Sequence, residues 1–236
     1  MNKTKNGFTL VEIMIALAVG MIIMAAIYGM MNLGQKSSAS VGRRVLTQQD
    51  ARAVLDFMSM EIGMASFDQT ANTAIWGNPN PKTSAGSTCA SVVSFSSARR
   101  GIQRAWANEI LVAMNLNADS QIGGSGDNEY VRYLYDSGNG TIRRAVSCGN
   151  YEDILGGTDS GTTVSNTNAQ PLFRYFRLDG TELTSVPLSD ADIALIRRIR
   201  ITIFADVENP DEQGTFRVSR REYTTDLLVR NHALSN

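Results

Sequence analysis

Histidine is nearly missing from this chain of 236 residues; His232 is the only one. A Ser-His or Cys-His catalytic pair would have to use it. It stands four positions from the last residue, where chain ends fray, and the expectation is that it does so. Cysteine is equally scarce. Cys89 and Cys148 are the only two, and with one histidine they are too few and too scattered for a zinc site. Asp and Glu are scattered through the predicted loops, but none shows the spacing of a carboxylate pair built for acid–base chemistry. Proline is absent before Pro79, so nothing in the first third of the chain forbids one long helix. Net charge is also lacking, at -1 with 19% charged residues, which gives nucleic acid little support as a main partner. The length suits one domain plus an extended element.

What is present is a strong asymmetry. From Phe8 to Gly34 the chain is almost wholly apolar, and Glu12 is its only charge. That run exceeds the ~20 residues that cross a bilayer as a helix. Lys3 and Lys5 precede it without an acid, so the N-terminus is expected on the cytoplasmic side and the remainder across the membrane. In that oxidising compartment a disulfide between Cys89 and Cys148 is expected; two unrelated buried thiols are the alternative that spacing leaves open. An ordinary secretory signal has an apolar core of ~7–15 residues and no carboxylate in it. A plain anchor leaves Glu12 unexplained, since a lone acid in a spanning helix costs about 2.5–3.5 kcal/mol on insertion scales.

The segment Lys5-Asn6-Gly7-Phe8-Thr9-Leu10-Val11-Glu12 resembles the class III leader junction of type IV pilins and type II secretion pseudopilins. The resemblance implies that a prepilin peptidase cuts between Gly7 and Phe8 and that the new amine of Phe8 is methylated. It also implies that the apolar helix stays in the mature protein. Glu12 then carries subunit register: an ionised carboxylate in lipid needs a partner, and cleavage creates a cation at Phe8. The pair can meet within one subunit or between staggered neighbours, and the resemblance favours the second. Ala16 and Gly20, like Ala25 and Gly29, are four apart and place small residues on helix faces where backbones approach. A simple lipid-facing helix is the other reading of them. Many major pilins carry a kinking proline where this sequence has Gly29, which leaves local melting without a fixed kink.

The helix is expected to continue to about residue 67. Val41, Val45, Ala51, Leu55, Met58, Ile62 and Ala65 form a loose apolar stripe interrupted by Gln48 and Arg52. Asn78-Pro79-Asn80-Pro81 reads as loop. Strands are expected at Val92 to Phe95, Ile110 to Met114, Tyr130 to Tyr135, Thr141 to Val146, Leu172 to Leu178, and Thr181 to Leu183. Ile199, Ile201 and Ile203 alternate with polar partners as in a strand, and Phe216 to Val229 supplies a last strand or pair. Ser137-Gly138-Asn139-Gly140 and Asp179-Gly180 read as hairpin turns, and Ser189 as a helix cap. Residues 117 to 129 and 156 to 170 read as surface loops. The fold class is α+β and pilin-like: a long N-terminal transmembrane and amphipathic helix packed on a mainly antiparallel β-sheet head.

This organisation divides into a leader at 1–7, a transmembrane half-helix at 8–34, an amphipathic half at 35–70, and a periplasmic head at 71–236. Ile196-Arg197-Arg198-Ile199-Arg200-Ile201-Thr202-Ile203, Arg220-Arg221-Glu222-Tyr223-Thr224-Thr225 and Val229-Arg230-Asn231 resemble the C-terminal strands of PilW-like minor pilins. Asn108-Glu109-Ile110-Leu111-Val112 resembles another of their strands. Pseudopilin J of type II secretion shares the architecture. The resemblance implies a minor pilin that helps initiate pilus assembly in a tip complex, with no cofactor. The implied partners are the prepilin peptidase, other minor and major pilins, the inner-membrane assembly platform and the inner membrane. A tethered periplasmic enzyme is the contrasting class. Asp119 to Glu129 and Glu152 to Asp159 have the composition of calcium loops, yet lack ligand spacing and read as solvated loops. Arg143-Arg144, Arg197-Arg198-Arg200 and Arg220-Arg221 could meet DNA, but solvated strand faces explain them as well.

Overall fold

The computed structural model describes residues 7–70, 75–76, 96–118, 122–123, 128–147, 149–157, 162–210 and 216–233. Cys89, Cys148 and the expected strand at Val92 to Phe95 lie outside them.

Helix α1 runs unbroken from Leu10 to Gly63, 54 residues, which at 1.5 Å per residue is ~80 Å. It starts where it does because Thr9 and Glu12 form a capping box: each side chain accepts the other residue's backbone N–H. It passes straight through Gly29. From Leu10 to Leu46 most of the helix is exposed, with Leu10, Val11, Met21, Ile22, Tyr28 and Met30 among the exposed side chains. Beyond that point Thr47, Ala51, Leu55, Met58 and Ile62 are buried, at intervals of three and four that keep them on one helical face. The stripe expected from Val41 is thus shorter: Val41 and Val45 remain 56% and 47% exposed. Thr47 is the first buried residue of the helix among the described residues, and its hydroxyl meets that of Thr162 at 2.7 Å.

Two antiparallel sheets make the head. The first is a meander of β1 (Ile102–Ala105), β2 (Glu109–Ala113), β3 (Tyr130–Asp136), β4 (Thr141–Val146) and β5 (Glu152–Gly156), in that order. The second centres on β8 (Arg198–Pro210), which pairs with β6 (Thr162–Val164), β7 (Phe173–Phe176) and β9 (Phe216–Leu228). Short helices α2 (Asp190–Ile193) and α3 (Arg230–Ala233) close the end of the head beside the C-terminus of α1. Ile199, Ile201 and Ile203 of β8 join Met58 and Ile62 of α1 and Tyr133 and Ile142 of the meander in one core. A second cluster of Ile75, Trp76, Leu111, Ala113, Ile122 and Tyr130 includes side chains from β2 and β3 on the other face of the meander.

The turn at Ser137–Gly140 joins β3 and β4 as expected; Asp136 accepts the N–H groups of Gly138 and Asn139, and Gly140 sits at φ +62°. At Asp179-Gly180 the hairpin is shorter than expected, because β7 stops at Phe176 and only Phe176 bridges to Glu182. Ser189 caps α2. Strands β1, β5 and β6 had no clear signal: each is three to five residues long. The segment 156 to 170 is therefore not all surface loop, since Thr162, Val164 and Asn166 are buried. In 117 to 129, Ile122 and Glu129 are buried as well.

Candidate functional site: a bare helix braced to its head

Glu12 lies in the first turn of the exposed part of α1, and Gly7 and Phe8 stand just before the helix begins. Phe8 is 86% exposed. The Oε2 atom of Glu12 accepts both the Thr9 N–H and the Thr9 hydroxyl at 2.9 Å, leaving Oε1 without a partner among the described residues. The cap was legible in the sequence as Thr-x-x-Glu, a pattern that the reading of Glu12 as a register residue overlooked. Phe8, Glu12, Ala16, Gly20 and Met24, with Ile13, Leu17 and Met21 beside them, outline an open apolar groove along one face. Ala16 and Gly20 are its small residues, and apart from the helix's own neighbouring backbone no atom of the described residues lies within 4 Å of where a Cβ on Gly20 or Gly29 would stand.

The other half of α1 is held by polar braces. Glu61, buried near the helix end, receives a two-pronged bond from Arg144 (Nη2 to Oε1 2.5 Å, Nε to Oε2 3.0 Å) and a hydrogen bond from the Tyr133 hydroxyl. Burial, and secondarily Glu61, raises the Tyr133 pKa far above the usual phenol range. Arg144 also covers the Phe57 ring, 5.0 Å from its centre.

At the end of the helix the chain turns through Ser66, at φ +63°, and meets the C-terminal segment. His232 is not frayed; it is 1% exposed. Its Nε2 faces the Ile193 carbonyl at 2.8 Å, so that nitrogen carries the proton, and Nδ1 accepts from the Ser66 hydroxyl at 2.8 Å. Ser66 Oγ in turn accepts the Gly101 N–H. Burial first, then Arg197 and Arg100, lowers the His232 pKa to about 4 against the pull of the Ile193 carbonyl. Placing a lone histidine near the end of the sequence could not reveal this; its partners are 166 and 39 residues away.

The charged groups singled out in the sequence are mostly consumed internally. Arg143 pairs with Asp136 and Asp153, Arg198 and Arg200 with Asp226, and Arg220 with Asp206. Arg197 donates to the carbonyls of Ala194 and Ile196. Such pairing opposes the strong positive field that phosphate binding requires. Glu129 accepts the backbone N–H groups of Leu116, Asn117 and Gly123, so its carboxylate braces a loop. Glu109 is clasped at Oε1 by Arg104 (2.6 Å) and Arg132 (2.7 Å) on the meander. Among the described residues no group of three His, Cys, Asp or Glu side chains converges as a metal site would.

Residues 2–28 match the prokaryotic N-terminal methylation motif. No curated protein and no solved structure matches the chain.

Proposed function

We propose that this chain, whose methylation motif supports a pilin or pseudopilin-type subunit, is a minor pilin that takes part in initiating a type IV pilus, in a tip complex. The motif and the apolar helix support anchoring in the inner membrane, and the leader implies processing by prepilin peptidase and assembly with other pilins. The observation that carries the proposal is the division of labour along α1. From Leu10 to Gly34 the helix is apolar and largely exposed, from Gln35 to Leu46 it is mostly polar and still largely exposed, and its last turns are buried in the head. A water-exposed surface of that kind is unstable alone, so it needs lipid or other helices. Its length and composition meet the first need, and the small residues Ala16 and Gly20 suit the second.

In this reading residues 1–7 are the leader, cut between Gly7 and Phe8, and Phe8 is then methylated. Residues 8–34 span the membrane and 35–70 connect to the head, which with 71–236 lies in the periplasm. Glu12 supplies the partner for the new amine. Its Oε2 is occupied by Thr9 while Oε1 stays open, which fits a carboxylate awaiting a second donor. We assign that meeting to staggered subunits. Glu12→Ala should then enter the membrane and be processed but fail to join filaments; assembly equal to wild type would refute the assignment.

The PilW-like resemblance of the C-terminal strands favours the pilus, and a pseudopilin J-like secretion subunit is the second reading. Deleting the gene and measuring both surface filaments and exoprotein export separates them. Loss of filaments with export intact supports the minor pilin. Loss of export alone supports the pseudopilin.

A further inference from the structure

Strand β9 forms an unfinished edge of the second sheet. It is 13 residues long and pairs with β8 in one continuous register, with no bulge to bend it away. The direction of its backbone groups follows from the bonds of β8. Thr202 donates to the Leu172 carbonyl and Ser165 to the Phe204 carbonyl, so the even-numbered residues of β8 serve β6 and β7. Antiparallel strands alternate their bonding direction, so odd-numbered β8 residues serve β9 through Leu227, Thr225, Tyr223, Arg221 and Ser219. The N–H and C=O groups of Val218, Arg220, Glu222, Thr224, Asp226 and Leu228 therefore point away from the sheet. Those same residues are exposed. No other strand pairs with β9 among the described residues. A long edge of this kind, unbroken by a bulge, is a template for another strand.

We propose that this edge pairs with β9 of a second copy of the chain, antiparallel about a two-fold axis at Tyr223. The evidence is self-complementarity. Pairing about Tyr223 sets Arg220, which pairs with Asp206 in its own chain, opposite Asp226, which pairs with Arg198 and Arg200 in its own chain. Each end of the contact thus joins two in-chain pairs into one network of alternating charge. The same register sets Val218 opposite Leu228. The latter two are apolar and 60% and 59% exposed. Glu222 falls opposite Thr224. The neighbouring registers are poor: a slip of two residues in one direction puts Glu222 against Glu222, and in the other puts Glu222 against Asp226. Like charges directly opposite destabilise a strand pair, and opposite charges support it. In the chosen register the outward-pointing residues exchange about a dozen backbone hydrogen bonds.

The symmetry has a geometric consequence. Helix α1 lies against the face of the β8–β9 sheet, and the two-fold axis stands perpendicular to that face. Rotation by half a turn reverses α1, so the two apolar half-helices point in opposite directions. This contact joins copies on facing membranes or on opposed filaments; neighbours in one membrane do not make it. It stands on the head alone and does not depend on which filament the chain serves.

The test uses full-length protein in detergent. Arg220→Asp and Asp226→Arg each place like charges opposite at both ends, so each alone should be monomeric by light scattering. Their equimolar mixture restores both opposite-charge pairs and should dimerise as wild type does. Equal association of all three samples, as helix-driven contact would give, overturns the proposal, as does a mixture no more dimeric than its parts. A second pair of variants guards against a folding defect. Arg221→Cys and Thr225→Cys sit opposite each other in non-hydrogen-bonded positions, where Cα atoms approach to about 4.5 Å, within the range a disulfide spans. A disulfide-linked dimer should form when the two variants are mixed and not from either alone; its absence from the mixture contradicts the register.

Discussion

Replacing Glu61 with alanine tests how the rod is fixed to the head. The carboxylate is 8% exposed and serves three donors: two from Arg144 and one from Tyr133. Its loss strands a guanidinium whose side chain is 20% exposed and a phenol that is fully buried. Breaking a buried ion pair by removing one partner costs about 3–5 kcal/mol. The remaining exposure of Arg144 lets water recover part of that, so the low end, about 3 kcal/mol, is expected. For a protein of this size that is a fall in Tm of roughly 6–12 °C. Thermal or urea unfolding of the full chain in detergent, followed by circular dichroism, measures it. Arg144→Ala should cost a comparable amount, and the double variant clearly less than the sum, because the same bonds are removed twice. A Glu61→Ala protein within about 0.5 kcal/mol of wild type, the usual range of surface changes, would refute the reasoning. Additive single losses would show that the two groups do not act as one brace.

His232 makes stability pH-dependent in a defined window. Its folded pKa of about 4 lies below the ordinary 6.5, so the unfolded chain binds the proton more readily. The contribution is intact above pH 6.5, erodes as pH falls below that, and is lost below about 4, for a total near 3 kcal/mol. Unfolding midpoints across pH 4 to 7 should show this slope, and His232→Gln should flatten it; an unchanged slope contradicts the buried neutral imidazole. Asp136, Asp206 and Asp226, whose pKa values are lowered mainly by hydrogen bonds, begin to lose their contributions only as pH falls through the ordinary aspartate value of 3.8, and lose them fully below it. Gly101→Ala should be among the costliest small changes, since its Cβ would stand 1.9 Å from the Ser66 nitrogen and 2.6 Å from the Ala113 oxygen. Backbone must move to admit it, so a loss of about 2–3 kcal/mol is expected, and a neutral effect in urea unfolding would show that this close approach is relaxed.

The long helix was legible because its signals are local and redundant: no proline, one apolar run, and a heptad-like stripe from Ala51 to Ile62 that the structure buries. The β3–β4 hairpin and the long C-terminal strands were legible for the same reason, since alternation and turn residues lie within a few positions of each other. Strands β1, β5 and β6 were not. Ile102-Gln103-Arg104-Ala105 has all four residues buried although two are polar, because Arg104 reaches Glu109 and Gln103 bonds to Ser96. Such a strand has no alternation to detect. Glu61 posed the same difficulty: on a helix face it reads as a solvated acid until Arg144, 83 residues away, is known to lie beside it. His232 and Glu129 were misjudged because long-range or loop-closing partners, which no local pattern encodes, decide their burial. At the N-terminus the reverse held. The junction from Lys5 to Glu12 is specific in sequence, whereas its chemistry depends on partners outside the chain.

Intact-mass and N-terminal fragment analysis of the protein purified from its own membranes tests the processing on which the functional proposal depends. The account predicts a chain that begins at Phe8 carrying one methyl group on its amine and retaining the whole apolar helix. A chain that begins beyond Gly34, or one that still carries residues 1–7, would contradict it.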